Sequence, residues 1–179
     1  MRKLLAETLS FRQETVAEVA DEAAALAREH WREVEAPLHG QRDYTPDRAR
    51  YDSLERLGML CITTARDGEG RLAGYAVFTL APCPHLEGEV VAALDGLYLA
   101  PAARRGFNAL ALLQSAEAAL AARGAGILQY SSPASRPCGA LYRRLGATRT
   151  ETVWHKRLPA GSGQAAQPGS AKRGGTPWQ

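Results

Sequence analysis

Residues 94–109 constrain this chain more than any other stretch. Leu94-Asp95-Gly96-Leu97-Tyr98-Leu99 reads as a buried strand, Pro101 stops it, Arg104-Arg105-Gly106 makes a turn, and a helix starts at Asn108. A strand that feeds a helix through such a turn gathers backbone N–H groups at one spot. The positive end of the helix dipole points at the same spot. That combination holds anions, phosphate above all. Gly96 lies inside the strand pattern, where glycine marks a bulge or a close approach of backbone.

The pattern around this stretch alternates between two periods. Residues 9–12 form a short first strand. Val16, Val19, Ala20, Ala23, Leu26, Ala27, His30 and Trp31 share one helical face, and that helix is expected to stop before Pro37. Thr45-Pro46-Asp47 reads as an N-cap, a first-turn proline and a first-turn acid, opening a helix that runs to Leu57 and is capped by Gly58. Residues 59–65 and 72–80 form a hairpin about Asp67-Gly68-Glu69-Gly70, and residues 90–99 form the next strand. Leu112, Leu113, Ala116 and Leu120 are the inward face of a helix over 108–123. A strand over 127–130, a helix over 137–145 with Ser135 as N-cap, and a last strand over 150–158 complete the order. Strand–helix–strand units imply parallel neighbours and the hairpin antiparallel ones, so the expectation is a mixed α/β sheet with helices on both faces. One domain is expected over 1–158. Residues 159–179, rich in Gly, Pro, Ser and Ala, read as a flexible tail.

Composition narrows the classes. The chain has 179 residues, 45% hydrophobic and 23% charged, with a net charge of +3. Basic residues pair, as in Arg104-Arg105 and Arg143-Arg144, without building a stripe, so no nucleic-acid partner is expected. Cys61, Cys83 and Cys138 lie far apart with no CxxC spacing, which predicts no structural metal and suits a reducing cytoplasm. No apolar run reaches the length of a membrane span, and residues 1–10 lack the apolar core of a secretory leader.

The segment from Asp95 to Tyr142 resembles the core of GNAT-type N-acetyltransferases, which use acetyl-coenzyme A. Leu97-Tyr98-Leu99-Ala100-Pro101 matches the end of that family's central strand. Arg104-Arg105-Gly106-Phe107-Asn108-Ala109 is similar to its pyrophosphate loop, with Phe107 where the family has its middle glycine. Leu141-Tyr142-Arg143-Arg144-Leu145-Gly146 resembles the end of its later helix. Glu29-His30-Trp31 and Pro84-His85-Leu86 resemble the phage-encoded branch. Ser135 stands where the family often has Asn.

The resemblance implies the acyl-CoA N-acyltransferase fold and transfer of an acetyl group to an amine of a small molecule or protein. It implies that the backbone of Arg105 to Ala109 holds the pyrophosphate, assisted by Arg104 and Arg105, and that the pantetheine arm pairs along Leu97, Tyr98 and Leu99. Tyr142 is the implied acid for the leaving thiolate, and Ser135 a cofactor contact. Asp95 is the first candidate for the base, then Glu89 and Glu87, then His85. Either a monomer or a homodimer fits. The alternative is a coenzyme-A-binding or phage structural protein that keeps the fold without catalysis.

Overall fold

The computed structural model describes residues 9–40 and 42–156. Its sheet has the order β1 (Ser10–Gln13), β2 (Leu60–Arg66), β3 (Leu72–Pro82), β4 (Val90–Leu99) and β5 (Ala125–Gln129). The first four strands are antiparallel neighbours, and β5 is parallel to β4. That mixture follows from the connections. A tight turn at 67–70 joins β2 to β3, whereas α4 (Asn108–Ala122) carries the chain from β4 back to the start of β5.

Helix α4 buries Leu112, Leu113, Ala116 and Leu120 completely against Ala76, Phe78, Leu80 and Ala92 on one face of the sheet. These are the four positions whose spacing marked them as inward. Each fully buried leucine contributes on the order of 2 kcal/mol. The other face is covered by α1 (Val16–His30) and α3 (Arg48–Arg56), where Val16, Val19, Tyr51 and Leu54 pack on Leu60, Ile62 and Val77. Thr15 and Glu18 cap α1 reciprocally, a pairing written in the Thr-x-x-Glu spacing.

Several boundaries differ from expectation. The first helix does not stop before Pro37. It widens into a π-helical turn over Trp31–Glu35, with the Ala36 N–H on the Trp31 carbonyl, then continues as α2 (Ala36–His39) to Gly40. Proline's ring crowds the carbonyl four residues back in an ordinary helix, and a wider turn relieves that crowding. Helix α3 starts two residues late because Asp47, not Thr45, caps it by accepting from the Arg50 N–H. Helix α5 (Gly139–Arg144) has no side-chain cap, and Ser135 is not its N-cap. Residues 149–156 form a unit separate from the preceding chain and contain neither helix nor strand, so the expected strand over 150–158 is absent from its described part, 150–156. The expected tail, 159–179, lies outside the described residues. No helix among the described residues is long and apolar enough to cross a membrane.

The decisive irregularity is in β4. Val77 pairs with Gly96 but Phe78 pairs with Leu94, so Asp95 is an extra residue in β4, beside the glycine expected to mark the bulge. The bulge reverses the strand's parity. Ala92 and Leu94 face the α4 core before it, and Leu97 and Leu99 face that core after it. Pairing with β5 ends at Ala93–Gln129, so β4 from Leu94 onward has no neighbour on that side.

Candidate active site

The separation of β4 from β5 opens a cleft of about 200 Å³. Its walls include Leu94 to Leu99, His30, Arg104, Ala109, Cys138 and Tyr142. The Tyr98 carbonyl lies 2.5 Å from where a Cβ on Gly74 would stand, so it faces β3. Strand alternation then turns the N–H and C=O of Leu97 and Leu99 toward the cleft. The Leu99 carbonyl accepts from Arg104 Nε at 2.7 Å. The Leu97 edge pairs with no strand among the described residues.

At one end of the cleft stands the turn that the sequence singled out. Gly106 is left-handed, with φ of 57°, and nothing lies within 4 Å of a Cβ placed on it. The Phe107 ring points outward and is 69% exposed, which leaves its amide clear. Backbone N–H groups of Arg104, Arg105 and Asn108 are spent on nearby carbonyls. Those of Gly106, Phe107, Ala109 and Leu110 bond no other described residue. Asn108 Nδ2 donates to the Ala103 carbonyl at 2.9 Å and fixes the turn's shape.

The two arginines are held differently: the tip of Arg104 is taken up within the protein, whereas Arg105 is held through Nε alone. Both nitrogens at the tip of Arg104 donate to Glu33 at 2.6 Å, and its guanidinium sits 4.9 Å from the Tyr98 ring centroid. Tyr98 and Arg136 also bond Glu33. Hydrogen bonding from Arg104 above all lowers the Glu33 carboxyl to about 2. Arg105 Nε donates to the Ala102 carbonyl at 2.7 Å. Arg104 thus clamps the loop to the π-helical turn, and Arg105 braces it from within.

At the other end, Tyr142 is buried, stacked on Tyr130 with ring centroids 4.7 Å apart. Its hydroxyl donates to the Ser131 carbonyl at 2.7 Å, while Ser131 Oγ donates to the Leu94 carbonyl at 3.3 Å. Burial, with the Cys138 thiol beside it, pushes the Tyr142 phenol above its ordinary range, so it stays protonated at neutral pH.

Asp95 projects from the bulge and accepts from the Tyr51 hydroxyl at 2.7 Å. Burial first, then Asp95, raises the Tyr51 phenol. Glu89 is elsewhere. Its carboxylate lies over Gly126 at the start of β5, and six residues of extended strand, roughly 20 Å, separate it from Asp95. Glu87 and His85 share that loop, Cys83 to Glu89. Ser135 Oγ donates to the Val34 carbonyl at 2.6 Å, so it ties the β5–α5 loop to the π-helical turn and is no wall of the cleft. His30 is the residue that sequence reasoning passed over as helix packing. It lines the cleft, and its ring lies against Gly96 at the bulge.

The chain matches the model of the acetyltransferase (GNAT) family over residues 21–147. A search of curated proteins finds no match. Among solved structures, the chain is similar to an aminoglycoside acetyltransferase from an uncultured soil metagenomic sample, at 25% identity and a TM-score of 0.64, covering 86% of this chain and 99% of that one. It is similar in fold to a ribosomal-protein-alanine N-acetyltransferase from Brucella melitensis biovar Abortus 2308, at 19% identity and a TM-score of 0.64, covering 85% of this chain and 100% of that one. A glucosamine-6-phosphate N-acetyltransferase from Arabidopsis thaliana shares the fold at 10% identity and a TM-score of 0.63, over 86% and 100%. The five-stranded sheet flanked by helices is the acyl-CoA N-acyltransferase fold, and the chain belongs to the acetyltransferase (GNAT) family.

Proposed function

We propose that this acetyltransferase uses acetyl-coenzyme A and transfers its acetyl group to an amine. The observation that carries the reading is the set of unspent N–H groups on Gly106, Phe107, Ala109 and Leu110, at one end of a cleft whose other end holds Tyr142. Such a set suits a pyrophosphate, and the unpaired edge at Leu97 suits the amides of a pantetheine arm. When bound, acetyl-coenzyme A supplies a thioester open to attack by a neutral amine.

The chain's own residues divide the work. Gly106 to Leu110 bind the diphosphate, and Asn108 and Arg105 hold that backbone in shape. Arg104 acts at one remove, through its clamp on Glu33 and Leu99. Leu97 and Leu99 bind the arm, with Tyr98 packed behind them. Tyr142 donates the proton that the departing thiolate needs. The burial that raises the phenol also raises a thiolate placed beside it, so donor and acceptor stay matched. Asp95 faces the amine and favours its approach as a cation. The aminoglycoside and ribosomal-protein-alanine acetyltransferases, by their names, take amine acceptors of very different size, and this chain takes a small-molecule or protein amine.

Gly106→Glu tests the reading. A carboxylate and a strained left-handed residue placed at the anion site should weaken coenzyme A at least tenfold by calorimetry, with the circular dichroism unchanged. Unaltered affinity would remove the loop from cofactor binding.

A further inference from the structure

We propose that His30 is the group that takes the proton from the acceptor amine, a role that rests on the acetyl-transfer reading above. The geometry is specific. His30 ends α1 and lines the cleft beside Asp95, Gly96 and Tyr98. Its Cε1 lies 3.5 Å from the position a Cβ on Gly96 would take, so the imidazole lies directly against the bulge. Nδ1 shares a hydrogen bond with the Tyr75 hydroxyl at 2.8 Å. The ring stacks on Tyr98, centroids 5.0 Å apart and planes 23° from parallel. Two contacts therefore fix its orientation, while Nε2 bonds none of the described residues.

The surroundings keep this imidazole ready. Burial lowers its pKa, and this outweighs Glu35, Glu33 and Asp95, which favour the cation. Arg104 adds to the lowering, and the ring also meets the Tyr75 hydroxyl and the face of the Tyr98 ring. A neutral imidazole that titrates below its ordinary range is unprotonated at pH 7 and can accept a proton there. In the proposed step, Nε2 takes one proton from the ammonium nitrogen, whose freed lone pair then forms the new C–N bond as the C–S bond breaks. Tyr142 protonates the departing thiolate, and the second proton of the nitrogen passes through water to the Tyr142 phenolate as the amide forms. The proton leaves His30 to water after the amide departs. Asp95, bonded to Tyr51, holds the ammonium in place before the transfer. The role requires the tautomer in which Nδ1 carries the hydrogen and donates to Tyr75.

Two readouts test this on the full chain with coenzyme A present. Long-range proton–nitrogen NMR of the chain's four histidines, assigned by loss of one set in His30→Gln, reads the tautomer and its titration. The expected result is a bare Nε2 at pH 7. A protonated Nε2, or an imidazolium at that pH, overturns the proposal. This arm needs no acceptor, so it reads the tautomer and charge of His30 independently of acetyl transfer. The kinetic arm follows thiol release from acetyl-coenzyme A with phenylethylamine, putrescine, an aminoglycoside and an alanine-initiated peptide as probes. His30→Gln should lower kcat about 100-fold and abolish the acid limb of the pH profile, with coenzyme A affinity kept. Tyr75→Phe keeps the imidazole but releases its tautomer, and should give an intermediate kcat. An unchanged kcat in His30→Gln overturns the proposal. Retained coenzyme A binding with no thiol release from any probe would instead count against acetyl transfer to amines.

Discussion

The Tyr142 hydroxyl donates to Ser131, and Ser131 in turn reaches Leu94, so a single serine pins the point where β4 and β5 part. Tyr142 is at once a structural hydrogen-bond donor and the proposed acid, and one substitution separates the two roles. Tyr142→Phe removes the donor and leaves the stack on Tyr130. Stability should fall by about 1 kcal/mol, the net worth of one such bond. Turnover, followed as thiol release, should fall about 100-fold with little change in coenzyme A affinity. A fall in affinity matching the fall in turnover would make Tyr142 a binding residue only. Tyr142 came to notice through the resemblance of Leu141-Tyr142, near Gly146, to a family pattern. The Glu33 clamp on Arg104 did not, because 71 residues separate its partners and neither spacing nor polarity marks Glu33 among its neighbours.

At the scale of the strand, a single inserted residue sets the chemistry. The bulge at Asp95 turns its carboxylate out of the ladder, reverses the facing of Leu97 and Leu99, and leaves Gly96 beneath His30. The sequence pointed to Gly96 as a bulge or a place of close backbone approach, and the bulge lies beside it. The tight approach is at Gly74 on β3, where an added Cβ would stand 2.5 Å from the Tyr98 carbonyl oxygen and 3.0 Å from the Leu99 Cα. At Gly96 the nearest atoms are 3.5 Å and 3.7 Å away, which is ordinary contact. Gly74→Ala should therefore cost about 3 kcal/mol in urea denaturation, since backbone cannot yield as a side-chain tip can. Gly96→Ala should cost less than about 1 kcal/mol. Equal costs would show that β3 and β4 slide apart more easily than their ladder suggests. A glycine in a strand pattern announces that backbone comes close to something; only the register tells which glycine and what.

For the whole molecule, pH exposes how the helical layer is fastened to the loop. Glu33 titrates at about 2 in the folded chain against an ordinary 4.5. A depressed carboxyl stabilises the fold above its unfolded value, and that contribution is lost as pH falls from 4.5 toward 2. The denaturation midpoint should drop over this window, and Glu33→Gln should flatten that part of the curve. At the other extreme, burial raises Tyr51, Tyr75, Tyr130 and Tyr142 above an ordinary 10. A raised phenol stabilises the fold below its unfolded value, so stability should fall as pH climbs past 10. An alkaline midpoint equal to that at neutral pH would show that these hydroxyls are already solvated in the fold. By itself the sequence determined the order of the five strands and of α1, α3, α4 and α5, the buried face of α4, and the turn at Gly106, because periodicity, glycine and proline act over a few residues. Only the tertiary structure decided that Arg104 binds Glu33, that Glu89 lies away from the cleft, and that His30 comes to the bulge. Those outcomes depend on strand register and on which face a distant helix covers, and neither is encoded locally.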